Sequence, residues 1–234
     1  MGWRGRGGSV LSAPGAKGET RIEEPSPAER AVVRRVAEAR ATVPNLELRA
    51  DIDMEQGLRL RARERCSTTA MLVRACALAL REVPRANGAY RDGRFELYSR
   101  VNVGVAVPVS GAYVIPTVFD ADAKALTSLT AELEELAEGA RGGALPAPAF
   151  SGATFTLYDL GSDEVMSAGA ITNPPQAAAL AAGAIREAPL VREGAVVAGH
   201  VMTVTLACDH RILYGQEAAR FLAAVKEKLE WGSL

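Results

Sequence analysis

Apolar and polar positions along this chain fall into segments of two periods. In Asn45 to Met54 the apolar residues Leu46, Leu48, Ala50, Ile52 and Met54 alternate with polar ones, which predicts a half-buried strand. The same period-two pattern sets Val204 and Leu206 against Thr203 and Thr205 in Val201 to Cys208. It recurs in Gly152 to Leu160, where Thr154, Thr156 and Tyr158 share one face and Phe155 and Leu157 take the other. The helical period runs through Ala28 to Ala41, with Ala31, Val32, Arg35, Val36 and Ala39 in one stripe, and Ser26 and Pro27 stand just before it. Glu55 to Glu64 reads as a basic helix. From a cap at Ser67 or Thr68 a further helix runs to Glu82, where Pro84 stops it. Ala123 to Ala140, ended by Gly142 and Gly143, and Gln216 to Glu230 complete the helices.

Three stretches depart from these simple periods. Phe95 to Val109 holds two strand-like runs, and the second, VNVGVAVPV, is apolar enough to require cover on both faces, with Gly104 allowing another group to approach closely. An alanine-rich segment to Ile185 follows Asn173, Pro174, Pro175 and Gln176, and strands flank the turn at Glu193 and Gly194. Met1 to Glu24 carries almost no hydrophobic period and is expected to be a flexible tail ahead of one domain over residues 25–234.

Composition narrows the classes. The 234 residues are 48% hydrophobic, enough for one large α/β domain, and the net charge of -1 without blocks of like charge gives no reason to expect a nucleic acid or an anionic membrane as partner. Neither a signal sequence nor a run of about 20 apolar residues is visible, so the expected compartment is the cytoplasm. Cys66, Cys76 and Cys208 lack paired metal-type spacing, which fits reduced thiols and suggests no metal site.

The candidate chemistry lies in CDHRILYG. His210 follows a strand end, where rigid backbone holds a side chain that still faces a cleft, and an imidazole there can take a proton near neutral pH. The chain has only two histidines, His200 and His210. Asp209 and Arg211 read as structural, tying the loop by ion pairs or backbone hydrogen bonds.

TLACDHRILYGQEAARFL resembles the C-terminal signature of the dihydrolipoyl acyltransferases of 2-oxo acid dehydrogenase complexes, which is related to the chloramphenicol acetyltransferase motif. The blocks SPAERAVVRRVAEA, TAMLVRACALALREVPRANGAY, VNVGVAVPV, TFTLYDLG and NPPQAAALAAGAI resemble that catalytic domain in the same order. The resemblance implies a chloramphenicol acetyltransferase-like two-layer α/β sandwich, with a mixed sheet packed by helices. It also implies a homotrimer with sites between subunits, and coenzyme A or acetyl-CoA as co-substrate. His210 matches the family's general base, while Tyr214 stands where an Asp is usual.

Tyr158 takes the place of the family's oxyanion-stabilising Ser, in TFTLYDLG against a family motif resembling TFTISNLG. Three readings follow: the Tyr158 phenol donates instead, Thr156 on the same face substitutes, or the site has lost activity. The resemblance brings no assignment of the coenzyme A-binding residues. About 24 residues ahead of the blocks are too few for a lipoyl domain, so no swinging arm is expected on this chain. A free-standing domain with an altered site resembles the acetyltransferases of tetronate polyketide biosynthesis, and the expected function is acetyl transfer from acetyl-CoA to a hydroxyl of such a small-molecule acceptor. The alternatives are a dihydrolipoamide acyltransferase core served by a lipoyl domain on another chain, and an inactive trimeric scaffold.

Overall fold

A computed structural model describes residues 11–15, 18–109 and 112–234. The first described segments, β1 (Leu11–Gly15) and β2 (Gly18–Arg21), form a small antiparallel hairpin within the stretch read as a tail. Helix α1 (Pro27–Thr42) opens with a full capping box. Ser26 accepts from the Glu29 amide at 3.2 Å, and the Glu29 carboxylate accepts from the Ser26 amide at 2.7 Å.

The remaining elements follow in order: β3 (Asn45–Asp53), α2 (Glu55–Glu64), α3 (Thr68–Glu82), the hairpin β4 (Gly88–Arg91) and β5 (Arg94–Leu97), then β6 (Val103–Val105), β7 (Val107–Val109), β8 (Ala112–Val114) and β9 (Thr117–Val118). Helix α4 (Leu126–Arg141), β10 (Phe155–Asp159), β11 (Ala178–Ala182), β12 (Arg186–Arg192), β13 (Ala195–Asp209) and α5 (Gly215–Trp231) complete the chain. Ser67 is the cap of α3, accepting from the Ala70 amide at 3.1 Å. The helix expected from Ala123 begins at Leu126, because Ala121–Ala123 form a short 3-10 turn first.

Seven strands make the main sheet in the order β12, β13, β11, β10, β6, β9, with β3 also on β13. Val201 pairs with both Asp53 and Arg186, so β3 and β12 flank opposite edges of the long β13. β10 runs parallel to β11 and β6, and the other pairs are antiparallel, which gives the expected mixed sheet. The run VNVGVAVPV divides: β6 joins the main sheet while β7 leaves it to pair with β8, and Pro108 lies exposed on that hairpin. Gly104 sits where a side chain would not fit. A Cβ there would come within 2.7 Å of Ile115 Cγ2 and 3.1 Å of Ala153 Cβ.

The two faces of the sheet differ in side-chain size, and that difference makes room for a site. Phe155, Leu157, Leu180, Val204, Leu206 and Cys208 point to one face, where with Leu72, Phe221, Val225 and other residues of α3 and α5 they form the main core. The opposite face carries Ala179, Ala181 and Ala207, with Ala170 and Tyr158 packed on them. The alanine-rich segment is therefore a central strand, buried along its length. Its small side chains leave a hollow under α1 that larger residues would fill. Among the described residues, no helix is long and apolar enough to cross a membrane.

Candidate active site

Thr156 and Tyr158 project from the alanine face of β10, and the loop before β11 reaches back over them. The Thr156 hydroxyl donates to Gln176 Oε1 at 2.6 Å and accepts from Asn173 Nδ2 at 3.1 Å. The Tyr158 hydroxyl donates to the Ile171 carbonyl at 3.2 Å and accepts from the same Asn173 nitrogen at 2.9 Å. One amide thus spans both hydroxyls. Gln176 is fixed in turn by donating to the Ala153 carbonyl at 3.1 Å. Thr156, Asn173 and Gln176 are buried, so these bonds satisfy groups that would be costly to leave unpaired.

Two hollows meet at this network. One of about 430 Å³ is lined by Thr156, Asn173, Gln176 and Arg35, and a more apolar one of about 320 Å³ by Tyr158, Leu160, Ile171 and Ala181. Arg35 and Asn173 line both. Burial raises the Tyr158 pKa, opposed by the Asn173 hydrogen bond and by the charge of Arg35. The phenol therefore stays protonated at neutral pH and keeps a hydrogen to donate.

His210 stands just past the end of β13, as expected. Its amide donates to the Pro44 carbonyl at 3.0 Å, and the turn is locked by Asp209, whose buried carboxylate accepts from the Arg211 amide at 3.0 Å and from Arg211 Nη2 at 2.7 Å. That interaction raises the Arg211 pKa, so its charge is permanent. The His210 side chain is exposed, and its ring meets Tyr214 edge-on with centroids 5.8 Å apart.

Thr156 and Tyr158 come together in one chain; His210 does not join them. Tyr158 pairs with Ala181, which pairs with Thr205, so the register places Tyr158 two strands from β13 and level with a residue well before His210. At roughly 3.3 Å per residue along the strand and about 4.8 Å between strands, the separation is far beyond hydrogen-bond reach.

Sequence reading missed the roles of Asn173 and Gln176. The order Asn-Pro-Pro-Gln ahead of the alanine run was visible, but polar residues in a proline loop read as loop chemistry until their partners are known.

The family described as 2-oxoacid dehydrogenases acyltransferase (catalytic domain) matches residues 17–233, and the chain belongs to it. It is 32% identical over 235 residues to the dihydrolipoyllysine-residue acetyltransferase component of the pyruvate dehydrogenase complex of Zymomonas mobilis, a match covering 94% of this chain and 53% of that protein. The chain spans about half the length of that relative.

The solved structure of the Azotobacter vinelandii dihydrolipoamide acetyltransferase superposes with a TM-score of 0.87 at 26% identity, covering 92% of this chain and 93% of that one. In that enzyme a serine, a histidine and an asparagine were investigated for their part in catalysis, and their spacing along its chain equals that of Tyr158, His210 and Tyr214 here. A chloramphenicol acetyltransferase shares the fold, with a TM-score of 0.57 at 16% identity over 84% of this chain and 94% of that one.

Proposed function

We propose that the chain is a coenzyme A-dependent acyltransferase that moves an acyl group between coenzyme A and a dihydrolipoyl thiol, in a homotrimer whose sites lie between copies. The carrying observation is His210, fixed by the locked Asp209-His210-Arg211 turn and as many residues beyond Tyr158 along the chain as the histidine is beyond the serine in the Azotobacter enzyme. One chain keeps His210 away from the Thr156–Tyr158 network, and in this reading a second copy supplies the missing half. The number three comes from the family resemblance.

In this reading the His210 imidazole takes the proton of the acceptor thiol as its sulfur attacks the thioester carbonyl carbon of acyl-coenzyme A. A new C–S bond forms and the carbonyl oxygen becomes an oxyanion. Collapse breaks the bond to the coenzyme A sulfur, which leaves with the proton returned by the imidazolium.

The Tyr158 phenol is the better oxyanion donor of the two hydroxyls. Its bond to Ile171 is long at 3.2 Å, while the Thr156 bond to Gln176 is short at 2.6 Å, so less is lost in redirecting the phenol hydrogen. The chain acts in the cytoplasm, its lipoyl group carried by another domain.

A second reading, acetylation of a hydroxyl on a small acceptor of the tetronate polyketide kind, draws on Tyr158. A ring where the Azotobacter enzyme has a serine takes up space at the hollow and leaves it mostly apolar. The test is acyl transfer from acetyl-CoA to dihydrolipoamide set beside transfer to primary alcohols. Thioester formation on dihydrolipoamide supports the first reading. Ester formation with an inert dihydrolipoamide replaces it with the second, and turnover of neither by a folded trimer leaves the scaffold.

A further inference from the structure

The imidazole proposed as the base makes no hydrogen bond through its ring to any described residue, and the edge-on contact with Tyr214 is what meets it. Tyr214 is itself exposed at 45% and caps the start of α5 without a side-chain hydrogen bond. A ring so placed needs support from another contact, and Arg85 supplies one. Its guanidinium lies over the Tyr214 ring, 5.5 Å from the centroid, and over the Phe95 ring at 5.0 Å. Arg85 Nη1 also meets Glu217 Oε2, in the first turn of α5, at 3.3 Å.

The hairpin β4–β5 supplies the base of this stack. Phe95 stands opposite Tyr90 in register, their centroids 6.1 Å apart, and Arg211 covers Tyr90 at 4.7 Å. Two arginines therefore rest on the two rings of one hairpin: Arg211 fixes the turn before the helix, and Arg85 the ring after it.

We infer that Arg85 is a positioning residue for His210, acting through Tyr214. The inference rests on the reading of His210 as the base. Where the Azotobacter enzyme has an asparagine, whose amide can hydrogen-bond, this chain has a ring that restricts the imidazole by contact alone. Contact restricts rotation only if the ring stays in place, and Arg85, held by Glu217 and Phe95, keeps it there. Loss of Arg85 widens the range of His210 orientations, so fewer encounters present the nitrogen along the thiol S–H direction. Acceptor affinity is expected to stay unchanged, because the contacts of Arg85 are to Tyr214, Phe95 and Glu217.

The test combines kinetics with the proton NMR of the two imidazoles, His200 and His210, which the variant His200→Gln assigns. In Arg85→Met and in Tyr214→Leu, kcat is expected to fall about tenfold with the acceptor KM within about twofold. The His210 ring protons should move and lose their cross-peaks to residue 214. Tyr214→Phe, which keeps the ring, should restore both kcat and cross-peaks. Phe95→Leu, which loosens Arg85 from below while leaving the Glu217 contact, should give a smaller change of the same kind and stands in if Arg85→Met does not fold.

Unchanged His210 resonances in a folded Arg85→Met protein overturn the inference, whatever happens to the rate. So do shifted resonances with an unchanged kcat, and so does a change confined to KM. If the unaltered protein transfers acyl groups to no acceptor, the functional reading fails, and the NMR comparison still decides whether Arg85 orders the imidazole.

Discussion

Asn173 donates through one nitrogen to the Tyr158 hydroxyl at 2.9 Å, while the phenol hydrogen goes to the Ile171 carbonyl at 3.2 Å. The oxygen is thus oriented by a fixed amide and keeps one hydrogen on a weak partner, the arrangement an oxyanion donor needs. Tyr158→Phe is expected to lower kcat by roughly 10²-fold with little change in coenzyme A affinity, as for a contact made in the transition state. Thr156→Val is expected to act on stability instead. It leaves Gln176 Oε1 without its donor and takes from Asn173 one of its two acceptors in a buried site, costing about 1–3 kcal/mol in chemical unfolding. A crippled Thr156→Val enzyme beside a silent Tyr158→Phe would transfer the donor role to Thr156.

His210→Ala should remove two to four orders of magnitude of acyl transfer, in the range of general-base loss, and leave the fold of the chain intact because the side chain lies outside its core. Activity within a factor of a few of the unaltered protein, measured at saturating acyl donor, would show that His210 is structural.

Sedimentation at micromolar concentration should give three times the chain mass. A sharper check mixes two inactive variants. If each site takes His210 from one copy and Tyr158 from the next, trimers reassembled from equal parts of His210→Ala and Tyr158→Phe contain about a quarter of sites with both residues intact. Recovery of activity on mixing is expected, and failure of the mixture to exceed either variant would place the whole site in one chain.

The three cysteines are buried, and burial holds their thiols protonated, Cys208 with its pKa raised to about 12. A thiol reagent at pH 8 should therefore modify none of them in the folded protein on the timescale of minutes, and all three in denaturant. Prompt reaction of one thiol without denaturant would mean that its part of the core opens readily.

Tyr158 also gives an alkaline signature. Burial raises its folded pKa, so the unfolded chain ionises near its ordinary value of about 10 while the folded one does not. Its contribution to stability is complete below that pH and is lost as pH rises through the folded pKa. Tyr98, raised chiefly by burial as well, adds to the same slope. Tyr158→Phe should flatten the fall in stability above pH 10, and an unchanged slope would show that the phenol is not protected from water.

The sequence by itself determined the local elements, because each answers to short-range chemistry. The start of the first helix after Ser26, the Ser67 cap, the alternation in β3 and β10, the Glu193-Gly194 turn and the Asp209-Arg211 lock need only neighbours a few residues away, and all lie where the pattern placed them. His210 at a strand end was legible for the same reason.

The tertiary structure alone decided what the polar groups do. Asn173 becomes the hub of Thr156 and Tyr158 because the loop before β11 folds back across β10, and Arg85 meets Tyr214 because α5 returns to the β4–β5 hairpin. The alanine run carries no period that distinguishes strand from helix, and it is a strand because the sheet needs small residues between β10 and β13. Such pairings depend on which distant segments the chain closes together, and residue periodicity holds no record of that.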